Sequence, residues 1–177
     1  EVNVIGLLST TQAFLPLLGA KKNCSHAPGR ILNISSVAGK VSNPFMGAYC
    51  ASKHAVEAIS NSLRIELQLY GIEVVVIGPG VVKTPIWDKA EEFDIDSYKN
   101  TDYYPSGIQL KKYLLKMAEQ GLNQTAFGKT MAEIIETPKP KVRYPLVYHK
   151  FQNWVLPRLI PTRMLNKIIG KRLGFLK

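Results

Sequence analysis

Tyr49 and Lys53 stand four residues apart in Tyr49-Cys50-Ala51-Ser52-Lys53. That spacing is about one helical turn, so a phenol and an ammonium share one helix face. The lysine charge favours phenolate over phenol and prepares the tyrosine to exchange a proton with an alcohol or a carbonyl oxygen. Many helices carry such a pair by chance, so the parts around it decide. Ser36 precedes Tyr49 by thirteen residues and follows an apolar run, and a hydroxyl at the C-terminal end of a strand lies where open α/β sheets place their chemistry. A later apolar run stops at Pro79-Gly80 and continues as Val81-Val82-Lys83-Thr84. Gly80 permits close approach of a flat ligand, and Thr84 can hydrogen-bond an amide.

Positioning these groups requires alternating helices and strands. Residues 4–18 have apolar positions at helical spacing, residues 30–35 form a short β-branched run, and residues 48–70 give a long helical pattern stopped by Gly71. Residues 72–77 read as a strand apolar on both faces, which implies a parallel sheet with both faces covered. Residues 85–128 are mixed, 130–136 predict a short helix, and 141–148 a last strand. The expected class is α/β, a Rossmann-type parallel sheet with helices on both faces.

Four segments, Asn3-Val4-Ile5-Gly6, Asn33-Ile34-Ser35-Ser36, Tyr49 to Lys53, and Pro79 to Thr84, resemble in order and spacing the successive motifs of short-chain dehydrogenases/reductases. The resemblance implies a nicotinamide cofactor, NAD or NADP, and a catalytic tetrad at Asn3, Ser36, Tyr49 and Lys53. It makes Tyr49 the general acid/base, Ser36 a hydrogen-bond partner of the same substrate oxygen, and Lys53 the holder of the nicotinamide ribose. Asn3 would position a water joining Lys53 to solvent. Pro79, Gly80, Val82 and Thr84 would line the nicotinamide and its carboxamide. The wording is similar to the branch acting on retinoids, steroids and other lipid alcohols. The implied function is hydride transfer between the nicotinamide and an apolar alcohol or ketone, with a homodimer built on the helices at 4–18 and 48–70. The opposing reading is a non-catalytic scaffold of the same fold.

Each residue also has a plainer reading. Asn3 can cap or kink a helix, Ser35 competes with Ser36, Cys50 and Ser52 suit helix packing, His54 suits a solvated position, and Thr84 before Pro85 suits a turn. No Gly-x-x-x-Gly-x-Gly turn occurs, so the phosphate-binding part of such a fold is expected to precede Glu1.

Composition narrows the classes further. The chain has 177 residues, 46% of them hydrophobic, enough for one core. Cys24 and Cys50 have no paired spacing, so we expect free thiols in an intracellular, reducing compartment and no metal site. Up to Pro138 the 13 Lys/Arg balance 13 Asp/Glu, whereas residues 139–177 hold 10 Lys/Arg and no acid. The expected organisation is a catalytic part at 1–148 and a basic amphipathic tail at 149–177. In the tail, Leu165, Ile168, Ile169, Leu173 and Leu176 would lie on one side and Arg163, Lys167 and Lys171 on the other. Such a tail suits an anionic membrane surface or docking on the protein itself. Few stacking aromatics and no binding motif argue against nucleic acid.

Overall fold

A computed structural model describes residues 1–176. The elements run as a π-helical turn Val2–Gly6 continuing into α1 (Leu7–Phe14), β1 (Arg30–Ile34), α2 (Gly47–Glu66) and β2 (Glu73–Pro79). They are followed by α3 (Asp88–Glu92), α4 (Tyr104–Glu119), α5 (Gln124–Glu136), β3 (Arg143–Leu146), α6 (Leu156–Leu159) and α7 (Thr162–Arg172). The helical and strand patterns expected up to residue 77 are thus present. Residues 85–128, left mixed by the sequence, contain α3, α4 and the start of α5.

The chain divides into two compact units, Glu1–Gly80 with Lys129–Leu146, and Val81–Gly128 with Val147–Lys177. The first holds the sheet, in the order β1-β2-β3 with both pairs parallel. Val74, Val75, Val76 and Ile77 are each at most 2% exposed. Successive side chains of a strand point to opposite faces, so both faces of β2 are covered, and its unbroken apolar run is what that placement demands. The chain reaches β2 through a 3-10 turn at Leu67–Tyr70 and a left-handed Gly71 at φ +69°. Glycine adopts that conformation without steric cost and releases the chain from the helix. Leu67, Ile72 and Val74 form a core cluster there, with Leu15, Leu18, Ile31 and Leu63 packed against it. Polar pairs fix the sheet's edges: Arg30 donates to Glu73 across β1 and β2 at 2.8 Å and to the Ile134 and Ile135 carbonyls at the end of α5.

In the second unit, α7 presents two different sides. Leu173 is buried and Leu165 and Ile169 are partly buried, whereas Met164 and Ile168 are exposed. Arg172 lies over the Tyr113 ring of α4 at 4.3 Å, and Phe175 meets Tyr103 edge-on. The row Leu165, Ile169, Leu173 recurs every four residues and therefore packs inward as one stripe. The single apolar side expected for the tail is divided between an inward row and an outward one.

Ile77 is fully enclosed at the centre of the sheet. Ile77→Ala should destabilise the fold by about 2–5 kcal/mol, as deletion of buried methyl groups does. Urea unfolding monitored by circular dichroism checks this value.

Candidate active site

Three segments of the first unit carry the candidate catalytic groups. The first is the beginning of α2, where Tyr49 is 38% exposed and the Lys53 ammonium lies 5.8 Å from the centre of its ring. One helical turn brings them together, as the spacing requires. Lys53 Nζ donates to the Ile34 carbonyl at the end of β1, at 3.0 Å. Burial holds the Lys53 amine below the usual lysine range, because desolvation disfavours its charged form.

The second segment leaves β1. Ser35 and Ser36 are both buried, and their hydroxyls face different partners. Ser35 Oγ donates to the Lys53 carbonyl at 3.4 Å, inside α2. Ser36 Oγ donates to the Pro79 carbonyl at 3.4 Å and accepts from the Ala38 N–H at 3.1 Å, capping the 3-10 turn Val37–Gly39. Ser36 is thereby tied to the C-terminal end of β2, whereas Ser35 serves the helix.

The third segment is the π-helical turn that contains Asn3. Asn3 Nδ2 donates to Ser52 Oγ at 3.1 Å, and Ser52 Oγ donates to the Tyr49 carbonyl at 2.8 Å. Asn3 thus reaches the turn of α2 that carries Tyr49 and Lys53 by way of Ser52. Single π turns inside helices occur frequently at functional sites. Cys50 is buried, and His54 Nδ1 approaches the Cys50 carbonyl at 2.9 Å, both local to the helix. Cys24 and Cys50 are free thiols. Among the described residues no cluster of three or more metal-ligating side chains occurs.

Of the groups expected to line a nicotinamide, Pro79 and Gly80 close the first unit, while Val82 and Thr84 belong to the second. Gly80 N–H donates to the Leu146 carbonyl at 2.9 Å. Val82 pairs with Leu122, and its carbonyl accepts the Trp87 indole N–H at 2.9 Å. Thr84 is extended and leads into the short turn Pro85–Trp87, so the turn-starting reading of this residue describes its backbone.

Sequence reasoning did not single out Glu57 or Arg143. Glu57 is 3% exposed on α2, one turn beyond Lys53, and its carboxylate receives Arg143 Nε at 3.0 and 3.1 Å and Nη2 at 2.9 Å. Lys40 lies 3.4 Å away on the other side. Burial alone would raise this carboxyl, but hydrogen bonds from Arg143 and Ser35 and the charges of Arg143 and Lys40 outweigh it and hold Glu57 below the usual carboxylate range. A buried acid on the inner column of an amphipathic helix was a legible signal that a cation must meet it.

Comparison with known proteins identifies the family. The family described as short chain dehydrogenase matches residues 1–94. The NADPH-dependent 3-dehydrocapnine reductase of Ornithobacterium rhinotracheale is 43% identical over 173 residues, covering 98% of this chain and 60% of that protein. Human (Homo sapiens) retinol dehydrogenase 16 is 45% identical over 89 residues, 50% of this chain and 26% of that protein. The crystal structure of a Burkholderia phymatum short chain dehydrogenase/reductase in complex with NAD superposes with a TM-score of 0.57 at 29% identity, over 89% of this chain and 54% of that one. This chain thus spans at most about 60% of the length of these relatives. The parallel sheet, the Tyr49–Lys53 turn and these similarities place the chain in the short-chain dehydrogenase family.

Proposed function

We propose that the protein carrying this chain is a nicotinamide-dependent oxidoreductase that interconverts an apolar alcohol and its carbonyl compound, with Asn3, Ser36, Tyr49 and Lys53 as its catalytic set. The observation that carries the reading is the Lys53 ammonium held over the ring of an exposed Tyr49. The donor set fits a nicotinamide nucleotide. An ammonium has three protons to give, and the Ile34 carbonyl takes one, leaving others for ribose hydroxyls. The named relative that uses NADPH and the NAD-bound neighbour support NAD or NADP in this role.

A bound nicotinamide supplies or accepts the hydride. Tyr49 Oη gives a proton to the carbonyl oxygen during reduction, or takes the hydroxyl proton during oxidation. Ser36 Oγ turns its hydrogen bond from the Pro79 carbonyl to that oxygen and stabilises the charge developing there. Lys53 holds the ribose and keeps positive charge beside the phenol. Asn3, through Ser52, fixes the turn on which Tyr49 and Lys53 sit. Pro79 and Gly80, which close the first unit, leave space for the nicotinamide.

An apolar substrate suits the segment after Thr84, where Ile86 is 65% exposed and Phe93 stacks on Tyr98 with ring centres 6.0 Å apart. The retinol dehydrogenase similarity supports the same class. A homodimer suits the outward column Ala51, Ala58 and Ile65 of α2, continued by Leu69 of the 3-10 turn that follows; all four are exposed, the last two by 70% and 79%. The small residues at one end allow helices to approach closely, and the large ones supply apolar area. An anionic lipid surface suits the outward side of α7, where Met164 and Ile168 stand among Arg163, Lys167 and Lys171. No helix among the described residues is long and apolar enough to cross a membrane, so this association would lie at the surface.

Three measurements test these readings on the chain joined at its N-terminus to a cofactor-binding half of the family. Tyr49→Phe keeps the ring and removes the proton donor, so kcat should fall by roughly 10²–10⁴ with nicotinamide affinity little changed; unchanged turnover would remove Tyr49 as the proton donor, and no turnover before substitution would support the non-catalytic scaffold. Light scattering at micromolar concentration should give a dimer, and Leu69→Arg should shift it towards monomer; a monomer before substitution rejects the α2 interface. Binding to phosphatidylserine vesicles should weaken with salt and with Met164→Ser/Ile168→Ser, at about 1 kcal/mol for each cation near the surface. Absence of binding at low salt would leave α7 as a helix docked through its inward row.

A further inference from the structure

Tyr49, Lys53 and Glu57 follow one another at four-residue intervals on α2, so the buried carboxylate ends the column that begins with the two candidate catalytic groups. The guanidinium that meets Glu57 comes from β3, and its Nη2 also donates to the Ser36 carbonyl at 3.1 Å. One planar group therefore reaches both α2 and the backbone of the residue whose hydroxyl would meet the substrate oxygen. Two glycines make room for the pair, Gly78 for the guanidinium and Gly39 for the carboxylate side. A Cβ on Gly78 would land on the Arg143 guanidinium, and a Cβ on Gly39 would meet Glu57 Cγ at 2.9 Å and Ser35 Oγ at 2.6 Å. Arg143 pairs with Val76 at the centre of the sheet, which gives the guanidinium a rigid base.

We propose that Arg143, anchored by Glu57, is a positioning residue that fixes Ser36 against the Tyr49–Lys53 face so that hydroxyl and phenol meet the same substrate oxygen. The proposal rests on the assignment of Tyr49 and Ser36 made above. A fork geometry is essential to it, because a bidentate guanidinium can hold a carboxylate along one edge and still donate to a carbonyl. A lysine at the same place carries the charge but cannot hold both partners in one plane. Misplacement of a reacting group by about 1 Å costs on the order of 10²-fold in rate, so loss of the second contact should appear in turnover.

The test is a double-mutant cycle in the protein joined to its cofactor-binding half, assayed well below the melting temperature of each variant. Arg143→Lys should lower kcat by roughly 10–100-fold while the nicotinamide KM stays within about threefold. In a Ser36→Ala background the same substitution should have little further effect, because the hydroxyl it positions is gone. If Arg143→Lys does not fold, Glu57→Asp, which withdraws the anchor by one methylene, is read in the same way. An unchanged kcat overturns the proposal, and so does an equal loss in both backgrounds, which marks a role in folding alone. Retained activity in Tyr49→Phe would instead remove the catalytic assignment beneath it, so the two failures are distinguishable.

Discussion

An ion pair between the buried Glu57 and the partly buried Arg143 is the constraint on which the first unit is built. Its two charges are drawn from α2 and β3, and the guanidinium also holds the chain leaving β1 at Ser36. Burying either charge alone would cost several kcal/mol, so the pair forms only when helix, strand and loop are all in place. Lys40 and the hydroxyl of Ser35 complete the solvation of the carboxylate. The apolar β2 run supplies the surrounding core, and the ion pair selects how the polar segments at its C-terminal end are arranged.

That arrangement brings the candidate catalytic groups to one end of the sheet. Parallel strands end together, and the loops beyond β1 and β2 therefore share one edge. Ser36 Oγ reaches the Pro79 carbonyl across that edge, and Lys53 Nζ reaches the Ile34 carbonyl from the helix above it. Both hydrogen bonds are made to backbone, so side chains with catalytic capacity are held by the same groups that define the strand ends. The second unit follows different rules. Its aromatic contacts, Phe93 with Tyr98 and Phe175 with Tyr103, involve rings that remain well exposed.

Local pattern made much of this legible. The Tyr49–Lys53 turn, the strand apolar on both faces and the stop at Gly71 depend on residues within a few positions of one another. Periodicity failed where two signals overlapped. Residues 104–119 are helical, yet Pro105 and Gly107 near the start of α4 disguised the pattern. The α7 stripe was read as one side because Ile168 and Ile169 are adjacent, whereas the structure turns them to different environments. Glu57 on the inner column of α2 signals a cation partner, but the Glu57–Arg143 pairing itself is not legible in the sequence, for another reason. Its members are 86 residues apart, and only the parallel placement of β3 beside β2 brings them together. The reach of Asn3 to Ser52 is non-local in the same sense.

The proposed chemistry requires the Tyr49–Lys53 face and Ser36 to form one site for a nicotinamide and a carbonyl oxygen. A crystal structure of the chain joined to its cofactor-binding half, with NADP and an unreactive apolar ketone analogue bound, measures this directly. Tyr49 Oη and Ser36 Oγ should both lie within about 2.6–3.2 Å of the analogue oxygen, with Lys53 Nζ on the nicotinamide ribose and Arg143 still bonded to Glu57 and to the Ser36 carbonyl. An analogue oxygen out of reach of both hydroxyls, or a nicotinamide seated away from Lys53, would contradict the proposed chemistry.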